Sequence, residues 1–187
     1  METLQPIEVS EAVGEAKALL DGLQQRLPKV PNMLRLLGHS PTVLGSYLDF
    51  TDAFNKQLPE RLRDLISITV AQITGADYLL SFAHVLAKRE GLSDEQMNAA
   101  RRGESSDVKT AAVLGFAAKA AREHGRVSEG DLAALREAGY SEAETVEIVA
   151  YISLSMFRVY FNLMARTAID FPIVKSADLA SSQNSGA

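Results

Sequence analysis

The sequence predicts an all-α protein, and three observations predict it. Apolar residues recur at three- and four-residue spacing along most of the chain, the mark of helices with one buried face. No segment sustains the alternation of apolar and polar residues that a half-buried strand needs. Three helix starts are written as capping boxes, Ser93 with Gln96, Ser128 with Asp131 and Ser141 with Glu144.

Taken in order, Glu11 to Leu27 carries a broad apolar stripe through Val13, Ala16, Leu20 and Leu23, and Pro28 and Pro31 end it. Asn32 to Leu37 reads as a short helix. Ser40 caps the next one, with Pro41 at its first position, and that helix is expected to run to about Lys56. Glu60 to Thr74 is apolar almost all round, which predicts a central position. Gly75 permits a turn, and Ala76 to Glu90 forms a second buried helix that Gly91 terminates. These two helices form the expected antiparallel centre. Asp107 to Glu123 is alanine-rich, and the last helix, Ser141 to about Thr167, is apolar nearly all round in its middle. The chain reads as a single helical domain over 1–175 with an N-terminal helical arm over about 1–30. Its polar end, 176–187, reads as a flexible tail.

Composition excludes several functions. The 187 residues carry a net charge of −5 with both signs interspersed, so nothing supports a nucleic-acid partner. No basic segment precedes an apolar one at the start, and the run Ile148 to Phe157 is too short to span a bilayer. A cytoplasmic protein without a membrane partner is expected. With no cysteine there is no disulfide, thiolate nucleophile or thiolate-bound metal. The three histidines, His39, His84 and His124, stand in separate segments without a metal-ligand spacing, so no metal site and no cofactor are expected.

Several stretches in order are PNMLRLLGHSPTVLGSYLDF, LPERLRDLISITVAQITGADYLLSFAHVLAKREGLS, RRGESSDVKTAAVLGFA, GRVSEGDLAALREAGYSEAETVEIVA and FRVYFNLMARTAIDFP. Their order and spacing resemble the alkylhydroperoxidase D-like and carboxymuconolactone decarboxylase proteins, in particular the peroxidase-related branch, over roughly residues 30 to 174. The resemblance implies an alkylhydroperoxidase D-like helical fold built around the central pair. It also implies a site helix on which two cysteines, a histidine and an upstream glutamate perform thiol peroxidase chemistry. Laid on this sequence without gaps, the cysteines fall on Ala76 and Leu79, the histidine on Ala83 and the glutamate on Asp64. Gly75, Asp77, Tyr78, Leu80, Ser81, Gly91 and Leu92 keep their places. His84 comes one residue late, about 100° further round the helix. Thiol peroxidase activity is excluded by composition, because methionine supplies neither a thiolate nor a disulfide for turnover.

The remaining candidates each have two readings. Asp64 is either a buried acid/base group or a first-turn aspartate paired with Arg61 or Arg63. Tyr78 and His84 either complete the catalytic set or pack structurally, and Ser81 either touches a ligand or fills the core. Arg158 and Asn162 lie one turn apart on an apolar helix, so Arg158 either meets a carboxylate across an interface or receives an anionic ligand. The reading that follows is cofactor-independent acid/base chemistry on a small apolar or anionic molecule in the ancestral cleft. The alternative is a non-catalytic pseudoenzyme that binds a ligand or an oligomeric partner. So apolar a helix pair further predicts a homo-oligomer, and the resemblance implies dimers, trimers or hexamers.

Overall fold

The computed structural model describes residues 4–54 and 57–179. After a 3-10 turn at Val9–Glu11, these form α1 (Gly14–Arg26), α2 (Asn32–Leu37), α3 (Pro41–Phe54), α4 (Glu60–Thr74) and α5 (Asp77–Arg89). α6 (Asp94–Arg101), α7 (Val108–Arg122), α8 (Glu129–Glu137) and α9 (Glu142–Ala165) follow. No strand occurs among the described residues.

α4 organises the rest. Every residue from Leu62 to Ala71 is buried, so this helix has no solvent face along its middle and needs cover on all sides. α5, α6, α7 and α9 provide it. The reversal from α4 into α5 takes only Gly75 and Ala76, with Gly75 in the left-handed region at a φ of 67°. Polar groups inside the cover find partners: Thr69 Oγ1 donates to the Ala100 carbonyl on α6 at 2.6 Å. A smaller apolar cluster joins α1, α2 and α3 through Leu20, Leu23, Met33, Leu37 and Leu44, and Tyr78 of α5 belongs to it. α9 is long and apolar enough to cross a bilayer by length and composition, but half of its apolar window is buried in the protein. It packs as a core helix against α3, α4, α5, α7 and α8.

All three predicted capping boxes form, each with the serine side chain and its partner bonded reciprocally. Helix ends differ from expectation where the backbone is left-handed. Gly14, at a φ of 59°, separates α1 from the preceding 3-10 turn, so the helix starts there and not at Glu11. Arg166, at a φ of 51°, ends α9 at Ala165, short of Thr167. The expected end of α3 at Lys56 and the tail from 180 onward lie outside the described residues.

Beyond α9 the chain returns across α5 as a strap. Tyr78 Oη donates to Asp170 Oδ1 at 3.1 Å, and Ser81 Oγ accepts from the Val174 amide at 3.0 Å. Asp77 Oδ1 accepts from the Ser176 amide at 2.9 Å, while Gln72 and Arg101 donate to the Ser176 and Lys175 carbonyls. Ser176, where the flexible tail was expected to begin, is therefore tied to α5.

Two stability outcomes are expected. Gly75→Ala has room for its methyl group, with Ser176 Oγ at 3.8 Å, so its cost is backbone strain alone. It should lower stability by about 1 kcal/mol, or about 3 °C in thermal melting. Tyr78→Phe leaves the Met33 amide and Asp170 Oδ1 without the hydroxyl that joins them. It should cost about 1–2 kcal/mol in denaturant unfolding.

Candidate active site

A cavity of about 400 Å³ opens between α3, α4, α5, α9 and the strap. Leu34, Leu48, Phe82, Leu86 and Phe171 give it apolar walls, and Tyr47, Thr51, Asp64, Ser67, Tyr151 and Arg158 contribute polar groups. Glu60, Arg63, Arg89 and Glu90 line it as well, two charges of each sign. That volume suits a small organic molecule.

α4 places Asp64 and Ser67 on one face, three residues apart. Asp64 is only 6% exposed, and its carboxylate takes part in no hydrogen bond among the described residues. Burial raises its pKa to about 7; Arg63 and Arg158 pull it down, while Glu90 and Glu60 push it up. Loss of water outweighs the nearby cations, and Arg63 is itself paired with Glu60 at 3.4 Å. Asp64 is thus half ionised near neutrality, the condition a general acid or base needs.

α9 carries the polar row opposite. Arg158 Nε donates to Tyr47 Oη at 2.9 Å and Nη1 to Tyr151 Oη at 3.3 Å. Ser67 Oγ lies 3.3 Å from Tyr151 Oη, so hydroxyls link α4 to the guanidinium. Both tyrosine rings also lie beneath the cation, with centroids 5.7 and 5.6 Å from Arg158 Cζ. No carboxylate stands within ion-pair distance of Arg158 among the described residues.

The other expected site residues divide sharply. Tyr78 lines the cavity with its ring, but its hydroxyl is engaged by the Met33 amide at 3.0 Å and by Asp170. Its pKa is raised, first by burial and then by Asp170, so it stays a neutral structural donor. Ser81 faces the strap at Val174 and not the cavity. His84 is buried but lies outside the cavity lining; its Nδ1 pairs with the Leu80 carbonyl at 2.9 Å, and burial lowers its pKa. Its late position therefore turns the ring away from Asp64. Asn162 Nδ2 donates to the Arg158 carbonyl at 2.8 Å and to Met33 Sδ, behind the cavity. All three positions aligned with redox residues, Ala76, Leu79 and Ala83, are buried in the main core, and of them Ala83 alone lines the cavity.

Sequence alone does not single out Tyr47, Ser67 and Tyr151 as site residues; Tyr47 reads there as core packing of its helix. The available signal was the polar series Tyr151, Ser155, Arg158 and Asn162, spaced by four, three and four along one face of α9.

Comparison with known proteins agrees with this architecture. The Carboxymuconolactone decarboxylase family matches residues 46–123. No curated protein matches the sequence. Among solved structures, a cysteine-to-alanine variant of the debrominase Bmp8 in complex with 2,3,4-tribromopyrrole superposes with a TM-score of 0.78 at 21% identity, covering 97% of each chain. An uncharacterized peroxidase-related protein from Silicibacter sp. TM1040 gives 0.75 at 18% identity, covering 91% of this chain and 93% of that one. The alkylhydroperoxidase AhpD core of a peroxidase-related protein from Ralstonia eutropha JMP134 gives 0.64 at 17% identity, over 91% and 94%. At these identities the likeness is one of fold. The matched segment, the shared fold and the cysteine-free sequence lead to one conclusion: this chain has the alkylhydroperoxidase D-like fold, is similar to the carboxymuconolactone decarboxylase family over residues 46–123, and carries no redox cysteines.

Proposed function

We propose that the chain is a cofactor-independent enzyme that moves a proton on a small apolar or anionic molecule held in the cavity. Asp64 is the proton acceptor and donor, and Arg158 faces the charge that the transfer creates. The observation that carries this reading is the Asp64 carboxyl: almost fully buried, unbonded, facing an organic-sized cavity, and poised near pH 7. The ligand in the debrominase complex, 2,3,4-tribromopyrrole, is a small flat ring of the kind that walls such as Phe82, Leu86 and Phe171 suit. Without cysteine, electron transfer through a thiol pair plays no part here.

A second reading, a binding protein without turnover, is favoured by the sparseness of the set. Tyr78, His84 and Ser81 are committed elsewhere, which leaves Asp64 as the one buried carboxyl in the cavity lining among the described residues. Solvent exchange separates the two. In D₂O, proton NMR should show C–H to C–D replacement in at least one member of a panel of cyclic diketones, aryl ketones and unsaturated lactones. The rate should rise with pH through about 7, as the Asp64 base ionises. Asp64→Asn should reduce it by roughly 100-fold or more. Panel members that bind without exchanging favour the binding protein.

The same carboxyl predicts a stability effect. Its folded pKa lies above the unfolded value of 3.8, so between about pH 4 and 7 the folded chain holds a proton that the unfolded chain releases. Stability therefore falls as pH rises through that window. Asp64→Asn removes the penalty: it should melt higher than the wild type at pH 8, by on the order of 2–4 kcal/mol, and nearly equally at pH 4.

We further propose that a second copy of the chain covers the outward face of α9. Val146, Val149, Phe157, Tyr160, Leu163 and Met164 are all exposed there, an apolar strip that favours association. Light scattering after gel filtration should give a dimer or larger assembly, and Leu163→Asp should shift it toward monomer. A wild-type monomer at high protein concentration removes this proposal.

A further inference from the structure

The hydrogen-bond directions around Arg158 leave donors aimed at the cavity. Arg158 is 5% exposed, and two of its nitrogens are spent on Tyr47 and Tyr151. Its third, Nη2, donates to nothing among the described residues, although the side chain lines the cavity. Tyr47 Oη accepts from Arg158 and takes part in no other hydrogen bond among the described residues, so its own proton is left to donate elsewhere. Tyr151 Oη and Ser67 Oγ share one proton between them, and the other is likewise spare. A buried cation without a carboxylate, flanked by hydroxyls with protons to give, is complementary to an anionic oxygen. Glu60, Arg63, Arg89 and Glu90 contribute two charges of each sign, so Arg158 sets the charge of the cavity when Asp64 is protonated. Tyr47, Phe82 and Phe171 offer ring surface to a flat molecule.

We propose that Arg158, Tyr47 and Tyr151 form an oxyanion subsite that takes the ionised oxygen of a small planar conjugated acid, such as a phenol or an enol. This rests on the acid/base reading of Asp64 and names its substrate class. The C–H or O–H bond of the ligand breaks and its proton joins the Asp64 carboxylate. The electron pair stays on the ligand and its charge resides on the oxygen beside Arg158. No electron enters or leaves the molecule, so neither thiol nor cofactor is called upon.

The probe is 4-nitrophenol, whose phenolate absorbs visible light and whose neutral form does not. Titrated with wild-type protein at pH 6, it should show a saturable gain in phenolate absorbance, the ionised form binding roughly tenfold tighter than the neutral one. Arg158→Met should abolish that preference, and Tyr47→Phe, which keeps the ring, should weaken it several-fold. Asp64→Asn should retain it, with or without proton-exchange activity in the wild type, so failure of the Asp64 reading and failure of the subsite are told apart. Absence of saturable binding, binding of the neutral phenol alone, or an ionised preference that survives in Arg158→Met with native circular dichroism overturns the proposal. If Arg158→Met fails to fold, Tyr47→Phe decides, and an unchanged preference in that variant overturns it.

Discussion

A guanidinium stripped of water inside a helical core is the constraint on which this architecture turns. Desolvating an unpaired cation costs several kcal/mol even after relaxation. Here the compensation comes from two tyrosine hydroxyls and two ring faces in place of a carboxylate. Tyr47 is supplied by α3 and Tyr151 by α9 itself, while Ser67 ties α4 to the group. Helices far apart in sequence are thereby held to one another by a polar centre, and the space they enclose stays open.

The cavity lining holds a buried carboxyl, Asp64, and a buried cation of fixed charge, Arg158. Burial favours the neutral form of Asp64, whereas Arg158 has no such escape, since a guanidinium keeps its proton at any ordinary pH. At neutrality the cavity lining therefore combines a fixed cation with a carboxyl that is ready to change state. This chain has no cysteine, so no thiol takes part in its chemistry.

Much of the fold was legible in the sequence because it rests on local rules. The capping boxes at Ser93, Ser128 and Ser141, the turn at Gly75 and the all-apolar α4 each announce themselves within a few residues. Asp64 and Arg158 were legible too, as charged residues in apolar helices. Tyr47 and Tyr151 were not, since an aromatic residue at helical spacing looks like core until its hydroxyl finds a distant guanidinium. Tyr78 and Ser81 misled for the opposite reason. They occupy positions the family resemblance marks, yet here they hold the segment after α9, whose irregular backbone carries no periodicity from which its docking place could be read. His84 shows how much one residue matters on a helix, as its ring closes onto the Leu80 carbonyl and leaves Ala83 facing Asp64's cavity.

The strap gives the carboxyl end of the chain an architectural duty. Phe171 forms part of the cavity wall and packs 5.6 Å from the Tyr78 ring and 5.2 Å from Phe82, while Asp170 and Ser176 pin it on either side. A chain shortened ahead of Asp170 would lose this panel of the chamber and leave aromatic rings of α5 wetted. Shortening it after Leu179 would spare every one of these anchors.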